Sequence, residues 1–350
     1  AYTANLTEIP VPPPVTPPLT SIPADTALAV LDIPALTDSA DSLVYYTAMS
    51  GEGDNWQGAV LQQSLDEGAS FGVVSDSNVN AIMGTLVEPI SSAAEWYTDT
   101  TNAVIVDLFT EDDLESRSDT EFLRGGGAFA LSYETGGNLP RWEILQFRDA
   151  EQIGPKRWKL TTLHRGVKST TPIAHVPGDM FVLLDNAVQR HAAESAWIAP
   201  EGVGAGQAQL VHRAVSFGQS PEDADVVESL FLGRSQLEWP VAGIEATRAG
   251  GVITATVTPR HRFGTPMNPI PSANFTGFEW FVYSYPTPGD PLATATTGPD
   301  ELTANLSVSG SGWVSVWCIA RNRITGLGGV QPTQFPGEPG FSFVIMPPES

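Results

Sequence analysis

Between Trp142 and Gly166 the chain reads WEILQFRDAEQIGPKRWKLTTLHRG. Ile144, Gln146 and Arg148 alternate with Glu143, Leu145 and Phe147; after Gly154-Pro155, Trp158, Leu160 and Leu163 resume an apolar face. A period of two sends successive side chains to opposite faces of a strand, and a Gly-Pro pair between two such runs marks a turn. The spacing therefore predicts an antiparallel hairpin turning at Gly154-Pro155, not a helix across Ile144 to Ile153.

The same grammar runs through the chain. It holds 33 glycines and 29 prolines among 350 residues, while charged residues make up only 16%. Such a chain spends its residues on turns, which predicts a mainly β, multi-domain protein built from many short strands. Strands are expected around Leu43 to Met49, at AVLQQS after Trp56-Gln57-Gly58, and at NAVIVDLF after Thr101. Further strands are expected at Phe129 to Tyr133, Trp142 to Phe147 and Asp179 to Asp185. The octet Ser64 to Phe71, SLDEGASF, resembles the Asp-box turn of sialidase propellers, whose aspartate caps turn amides and whose glycine takes a positive φ. A single copy gives no propeller period, so its expected role is to close a hairpin. The acidic stretch Glu111 to Glu115 could hold a cation, but Ser118 and Glu121 form a capping-box pattern, and a solvated loop with a short helix is the simpler reading.

Three segments are expected. Residues 1–26 include IPVPPPVTPPLTSIP, whose seven prolines remove amide donors and favour an extended polyproline II arm. Pro12, Pro13, Pro14, Pro17 and Pro18 are its candidate contact residues, as a linker, as an arm along a neighbouring subunit, or as a proline-recognition ligand. Residues 27–237 form a β-rich module whose end, from Gln189, reads as transitional, with Pro221 to Ser229 as its mobile loop. Residues 238–350 hold apolar runs at regular spacing: Val241 to Thr247, Val252 to Arg262, Phe278 to Tyr285, Leu302 to Val308 and Trp313 to Arg321. That rhythm predicts a fibronectin/immunoglobulin-like β-sandwich, with the aromatics of GFEWFVYSY and GWVSVWCIA packed across one core; a sugar-binding platform is the alternative.

Net charge is −23, and no Lys or Arg precedes Arg117. An acidic surface repels nucleic-acid phosphates and anionic lipid, so neither is an expected partner. No apolar run reaches the length of a membrane span, and no basic, then apolar, leader opens the chain, so neither membrane insertion nor a signal peptide is expected. Cys318 is the single cysteine; this excludes an intramolecular disulfide and a cysteine-based metal cage, and its alternating context predicts a buried position.

Catalytic patterns are missing. His164, His175, His191, His212 and His261 form no HExxH or i, i+4 metal pair, and there is no GxSxG elbow and no Walker lysine. Carboxylates alone do not make a glycosidase pair. The expectation is no enzyme, no metal and no cofactor. His164-Arg165 and the pair Arg260 and Arg262 are the candidate interaction residues, either to bind an anion or to fix a loop or subunit contact.

Collinear blocks carry a family resemblance. Leu31 to Ser42, Trp56 to Phe71, Asn102 to Gly127, Trp142 to Gly166, the His-x-x-Gly-Asp strand from His175 to Leu184, and Gly243 to Arg321 with its Pro-Arg-His-Arg stretch follow one order. In that order they resemble the C-terminal half of tail hub proteins of long-tailed phages and gene transfer agents, over about residues 27–330. The chain departs where Val167-Lys168-Ser169-Thr170 stands in place of a Gly-Thr-type turn, and it lacks the strand–helix alternation of the glycosidase-like barrel found upstream in full-length relatives. The resemblance implies a tail-hub module followed by a fibronectin-like domain. It further implies a tail tip or baseplate subunit of a virion, assembled in the host cytoplasm as a homotrimer, with other tail tip proteins, tail fibres and a host receptor as partners. The alternative function is a carbohydrate-binding receptor or adhesin module.

Overall fold

The computed structural model describes residues 24–37, 41–53, 56–93, 98–134, 140–198, 209–265, 268–286, 289–324 and 343–348. The Pro-rich residues 9–23, with Pro12, Pro13, Pro14, Pro17 and Pro18, lie outside them.

The hairpin block is the wall of a closed barrel. Strand Arg141–Gly154 pairs antiparallel with Arg157–His164 around a tight turn. The turn residues are Pro155 and Lys156, one position later than the Gly-Pro pair suggested, with Lys156 at φ 56. Proline presets the first turn position, and the second takes the left-handed conformation of a type II turn. From Arg157–His164 the pairing runs to Val104–Leu108, Met83–Leu86, Met180–Leu183, Ala128–Tyr133 and back to Arg141–Gly154. Closure leaves these six strands without a free edge. Two strands approach so closely at Gly84 that a Cβ there would lie 2.2 Å from the Asp107 carbonyl oxygen.

Side-chain alternation fills the barrel and greases its outside. Val104, Val106, Phe129, Leu131, Leu145, Phe147, Leu160 and Phe181 are fully buried in the interior cluster. The opposite-facing Met83, Ala130, Trp142, Ile144 and Val182 pack on a three-stranded sheet of Thr26–Leu31, Val44–Gly51 and Gln189–Ala192. Trp142 also donates its indole N–H to the Val30 carbonyl at 3.0 Å. The far face of that sheet, with Leu28, Val30, Tyr45 and Met49, packs on Ala59, Leu61, Leu210 and Ala214 of a four-stranded sheet and on Phe231 just past it. Its strands are Val226–Leu230, Gln209–Ser216, Ala59–Ser64 and Gly72–Ser77. The first module is thus barrel, sheet, sheet. Val44–Gly51 is buried at every position because it is covered on both faces, which is why VYYTAMSG shows no alternation.

Two sequence expectations change here. Residues 189–237 are not transitional: Gln189–Ala192, Gln209–Ser216 and Val226–Leu230 complete the second and third layers. Pro221 to Ser229 is a short 3-10 turn followed by a paired strand, because Ser229 and Leu230 are needed to cover the sheet. The local readings agree with the structure. Ser64 and Asp66 close the hairpin between Ala59–Ser64 and Gly72–Ser77, with Asp66 accepting from the Ser70 amide at 2.8 Å and Gly68 at φ 90. Ser118 and Glu121 form a complete capping box on the helix Asp119–Leu123.

The second module is a sandwich. One sheet holds Gly243–Ala249, Val252–Thr258 and Thr303–Ser307; the other holds Ala293–Thr297, Phe275–Ser284, Val314–Asn322 and Phe343–Met346. All pairings are antiparallel, and counted along these seven strands the orders are 1-2-5 and 4-3-6-7, an immunoglobulin-like arrangement. Phe278, Trp280, Val316 and Cys318 fill its core. Phe281, Tyr283 and Trp317 do not: the aromatic runs divide between the core and the outer face of the four-stranded sheet, as strand alternation requires.

Candidate functional site

The polar residues of the hairpin block meet at one end of the barrel. Glu143 lies between Trp142 and Ile144, which face outward, and so shares the inward face of Leu145 and Phe147. Arg165 follows the strand Arg157–His164, and His175 precedes Met180–Leu183. All three side chains are fully buried.

Glu143 is saturated. Arg165 donates Nε–H to Oε1 at 2.7 Å and Nη2–H to Oε2 at 2.8 Å, the bidentate fork that suits guanidinium to carboxylate. The Gly166 amide adds a donor to Oε1 at 3.0 Å and the Ile173 amide one to Oε2 at 3.1 Å. His175 faces Oε2 with Nε2 at 2.9 Å, while its Nδ1 faces Asp179 Oδ2 and the Ser132 carbonyl, each at 3.0 Å. The remaining Arg165 donors go to the Ser91 and Ile173 carbonyls, with Asp99 Oδ2 3.8 Å from Nη1. Gly166 sits at φ 63, and a Cβ there would meet the Thr170 carbonyl at 2.7 Å. Thr170, in the stretch that departs from the family pattern, accepts from the Ile144 amide at 2.9 Å and so ties the turn to the barrel wall.

Electrostatics agree with this geometry. Burial pushes the Glu143 carboxyl up, but the hydrogen bonds from Arg165 and His175 outweigh it and hold the group below the usual carboxylate range. For His175 burial favours the neutral ring, yet Asp179 and Glu143 overcome it and raise its pKa above the ordinary histidine value. A ring with a carboxylate on each nitrogen is suited to being an imidazolium. The Glu143, Arg165 and His175 side chains have no exposed surface, and both Glu143 oxygens are occupied. It is a fastener: it holds residues 165–179 across the barrel end.

The predicted interaction residues separate. Arg165 is inside this cluster, so its guanidinium faces no partner; it fixes a loop. Arg262 is also buried, at the junction of the two modules. It donates to the Ser235 carbonyl at 2.7 Å, to Asp41 at 2.9 Å and to Ser272 at 3.0 Å, and lies 3.5 Å from Glu238. Asp41 in turn accepts from the Ala273 amide at 2.6 Å, and Glu238 from Asn322 at 2.8 Å. Asp32 accepts from the Leu232 and Arg234 amides at 2.5 and 2.8 Å, and burial pushes its carboxyl up to about 6 against those bonds. Part of the unbalanced acid of the N-terminal third thus serves the connection to the sandwich. His164 is half-buried, stacked on Phe122 at 4.1 Å and bonded to Thr98 at 3.2 Å. Arg260 lies over the Trp239 ring at 4.7 Å. His164-Arg165 and Arg260-Arg262 therefore belong to two separate places and form no common anion site.

Sequence reasoning does not single out Glu143 or Asp41, and it names His175 and Asp179 only within the His-x-x-Gly-Asp stretch of the family resemblance. For Glu143 the signal was present, a lone acid between two apolar neighbours on a strand. Among the described residues no group of three or more His, Cys, Asp or Glu side chains is arranged to hold a metal ion, and no helix is long and apolar enough to cross a membrane. A cleft lined by Glu111, Asp112, Asp113 and Gln152 is bounded by Lys156, whose ammonium donates to the Phe109 carbonyl at 2.9 Å.

Comparison with known proteins isolates the barrel. The family model described as Rcc01698-like, C-terminal, a gene transfer agent-associated type, matches residues 81–182. No curated protein matches the chain. Among solved structures, the chicken CNTN1 FN1-FN3 domains are 9% identical, covering 94% of this chain and 100% of that one at a TM-score of 0.24. A two-domain fibronectin type III segment of chicken tenascin is 9% identical, covering 75% and 99% at a TM-score of 0.21. At such scores the sandwich is defined by its own strand order. The family match, by contrast, begins beside Met83–Leu86 and ends within Met180–Leu183, so the stretch similar to the Rcc01698-like C-terminal family is the closed barrel with its buried Glu143–Arg165–His175 fastener.

Proposed function

We propose that this chain is a structural subunit of the tail tip or baseplate of a long-tailed phage or gene transfer agent, corresponding to the C-terminal half of a tail hub protein. The observation that carries the reading is the coincidence of the Rcc01698-like match, residues 81–182, with a self-contained barrel. The buried polar residues of that barrel bind one another instead of presenting chemistry, which suits a part that bears load and not one that turns over substrate. The Arg262 junction fixes the sandwich to the first module, as a rigid projecting subunit requires. In this role the chain acts as a homotrimer in the virion, contacts other tail tip proteins and tail fibres, contributes to host attachment, and has no enzymatic activity.

Particles assembled with an epitope on the chain test this directly. Gold-labelled antibody should mark the distal end of the tail; label on the capsid, or label absent from intact particles, refutes the assignment. Release of reducing sugar from peptidoglycan or capsular glycan by the purified chain would refute the non-enzymatic part. A carbohydrate-binding role is the second reading, and the half-exposed Trp317 and Tyr283 on the outer face of the sandwich are the observation in its favour.

A further inference from the structure

The outer face of the four-stranded sheet carries an apolar surface that the sandwich core does not use. Phe281 stands opposite Trp317, and Trp317 opposite Phe343, so three aromatic rings cross three adjacent strands. Tyr283, Ser315 and Ile345 form the next row. The Trp317 and Phe343 rings stack at 4.2 Å and 19°, and Phe281 and Tyr283 at 6.1 Å and 16°. Phe281, Tyr283, Trp317, Phe343 and Ile345 are each half-buried. The Trp317 indole N–H is satisfied by Ser315 Oγ at 3.0 Å, so what the ring presents outward is apolar. The charges beside the row, Glu279 and Arg321, pair with each other.

We propose that this face docks the Pro-rich segment, residues 9–23, of a neighbouring copy of the chain. The proposal rests on reading the chain as a subunit of an oligomer. Residues 9–23 carry seven prolines and no charge. Polyproline II segments bind aromatic-lined surfaces, and their preset backbone lowers the entropy lost on docking. Charge points the same way. Copies at −23 each repel one another, so a contact through surfaces that carry no net charge is the least opposed. A glycan fits less well, because it needs free polar partners and the Ser315 hydroxyl is taken up by Trp317.

The described chain begins away from the connection to its own sandwich. Ala24 and Thr26 are held by Ser216, each at 2.7 Å, at the start of the strand Thr26–Leu31. Asp32, just past the other end, anchors the connection into the chain's own sandwich. The six-residue strand separates these ends by roughly 20 Å. The described chain therefore begins, at Ala24, at the strand end remote from the Asp32 anchor.

Photo-crosslinking in the full chain tests the idea. Benzoylphenylalanine replaces Val15 in one preparation, which is mixed with an isotope-labelled second preparation before irradiation and mass spectrometry. The expected crosslinks join position 15 of one copy to the strands Phe275–Ser284 or Val314–Asn322 of the other. Trp317→Ala and Tyr283→Ala should each cut the yield about tenfold or more, as truncating an aromatic anchor does, while the sandwich still folds and melts cooperatively. A synthetic peptide of residues 9–23 should compete. Crosslinks confined to single copies, crosslinks to other surfaces, or yields indifferent to both substitutions overturn the proposal. Glycan binding at this face without peptide competition overturns it in favour of a carbohydrate site. The outcome is separable from the position of the chain in the particle: label at the tail tip without these crosslinks refutes the docking alone, and crosslinks without label at the tip refute the tail assignment alone.

Discussion

Replacing Arg165 with methionine should destabilise the first module far more than replacing both Arg165 and Glu143. In the single variant the Glu143 carboxylate stays fully buried and loses two donors at 2.7 and 2.8 Å, while the Ser91 and Ile173 carbonyls lose theirs. Removing one partner of a buried, hydrogen-bonded ion pair costs about 3–5 kcal/mol, because the charge left behind cannot reach water. At roughly 2–4 °C per kcal/mol for a domain of about 200 residues, the midpoint should fall by about 6–20 °C. Arg165→Met with Glu143→Leu removes both charges and keeps similar volume but leaves the Gly166 and Ile173 amides without an acceptor, so it should recover part of that loss. Arg165→Lys should sit close to the single variant, since an ammonium cannot span both carboxylate oxygens and still reach the two carbonyls. Thermal unfolding at neutral pH, followed by near-UV circular dichroism, reads all four proteins. A loss below about 1 kcal/mol in Arg165→Met, within the range of exposed pairs, or a double variant no more stable than the single one, would refute the fastener.

Three further outcomes are expected. His175 has a raised pKa in the folded state, so its contribution is complete below about pH 6.5 and is lost as pH rises through the folded value; His175→Gln should flatten that alkaline slope in the midpoint. His191 and His212 lie 5.1 and 5.3 Å from the Tyr45 ring between the second and third layers, and burial holds both near 4, so stability should be lost as pH falls from about 6.5 towards 4. His212→Gln should weaken that acid slope, and an unchanged slope would show that the pair does not control it. Arg262→Met should release the junction, seen as faster proteolysis in residues 231–242 and as two melting transitions where the parent chain shows them coupled; one unchanged transition would show that the modules do not rely on it.

What the sequence made legible is local, and what it hid is mostly long-range. The hairpin from Trp142 to Gly166, the Ser64–Asp66 turn and the Ser118–Glu121 cap each depend on residues within a few positions of one another. The barrel does not: Met83–Leu86 pairs with Met180–Leu183 across nearly a hundred residues, and no periodicity in either strand announces the other. The strand Val226–Leu230 overlaps the expected loop Pro221 to Ser229, because acidic surroundings mask two residues that cover a sheet. One hidden feature is local. Leu160 and Leu163 both face the core although they are an odd number apart, and the change of face falls at Thr162, which takes φ 56 in the strand. A β-branched residue is rarely placed there, so nothing in WKLTTLH predicts it.

The buried fastener also explains how polar residues scattered along the chain can depend on one another within one barrel. An inward position near the end of a closed barrel is normally apolar, and a lone Glu143 there would carry a large desolvation cost. It is tolerated because Arg165, His175 and the Gly166 and Ile173 amides arrive together. Each of those is placed by a different constraint: Arg165 by the hairpin strand, Gly166 by a left-handed turn that would clash with a Cβ, and His175 by the segment leading to Met180–Leu183. None can change alone without leaving a buried charge or donor unmatched, so the residues are coupled in free energy although they are distant in sequence. That coupling ties Glu143, Arg165, Gly166, His175 and Asp179 to the barrel itself.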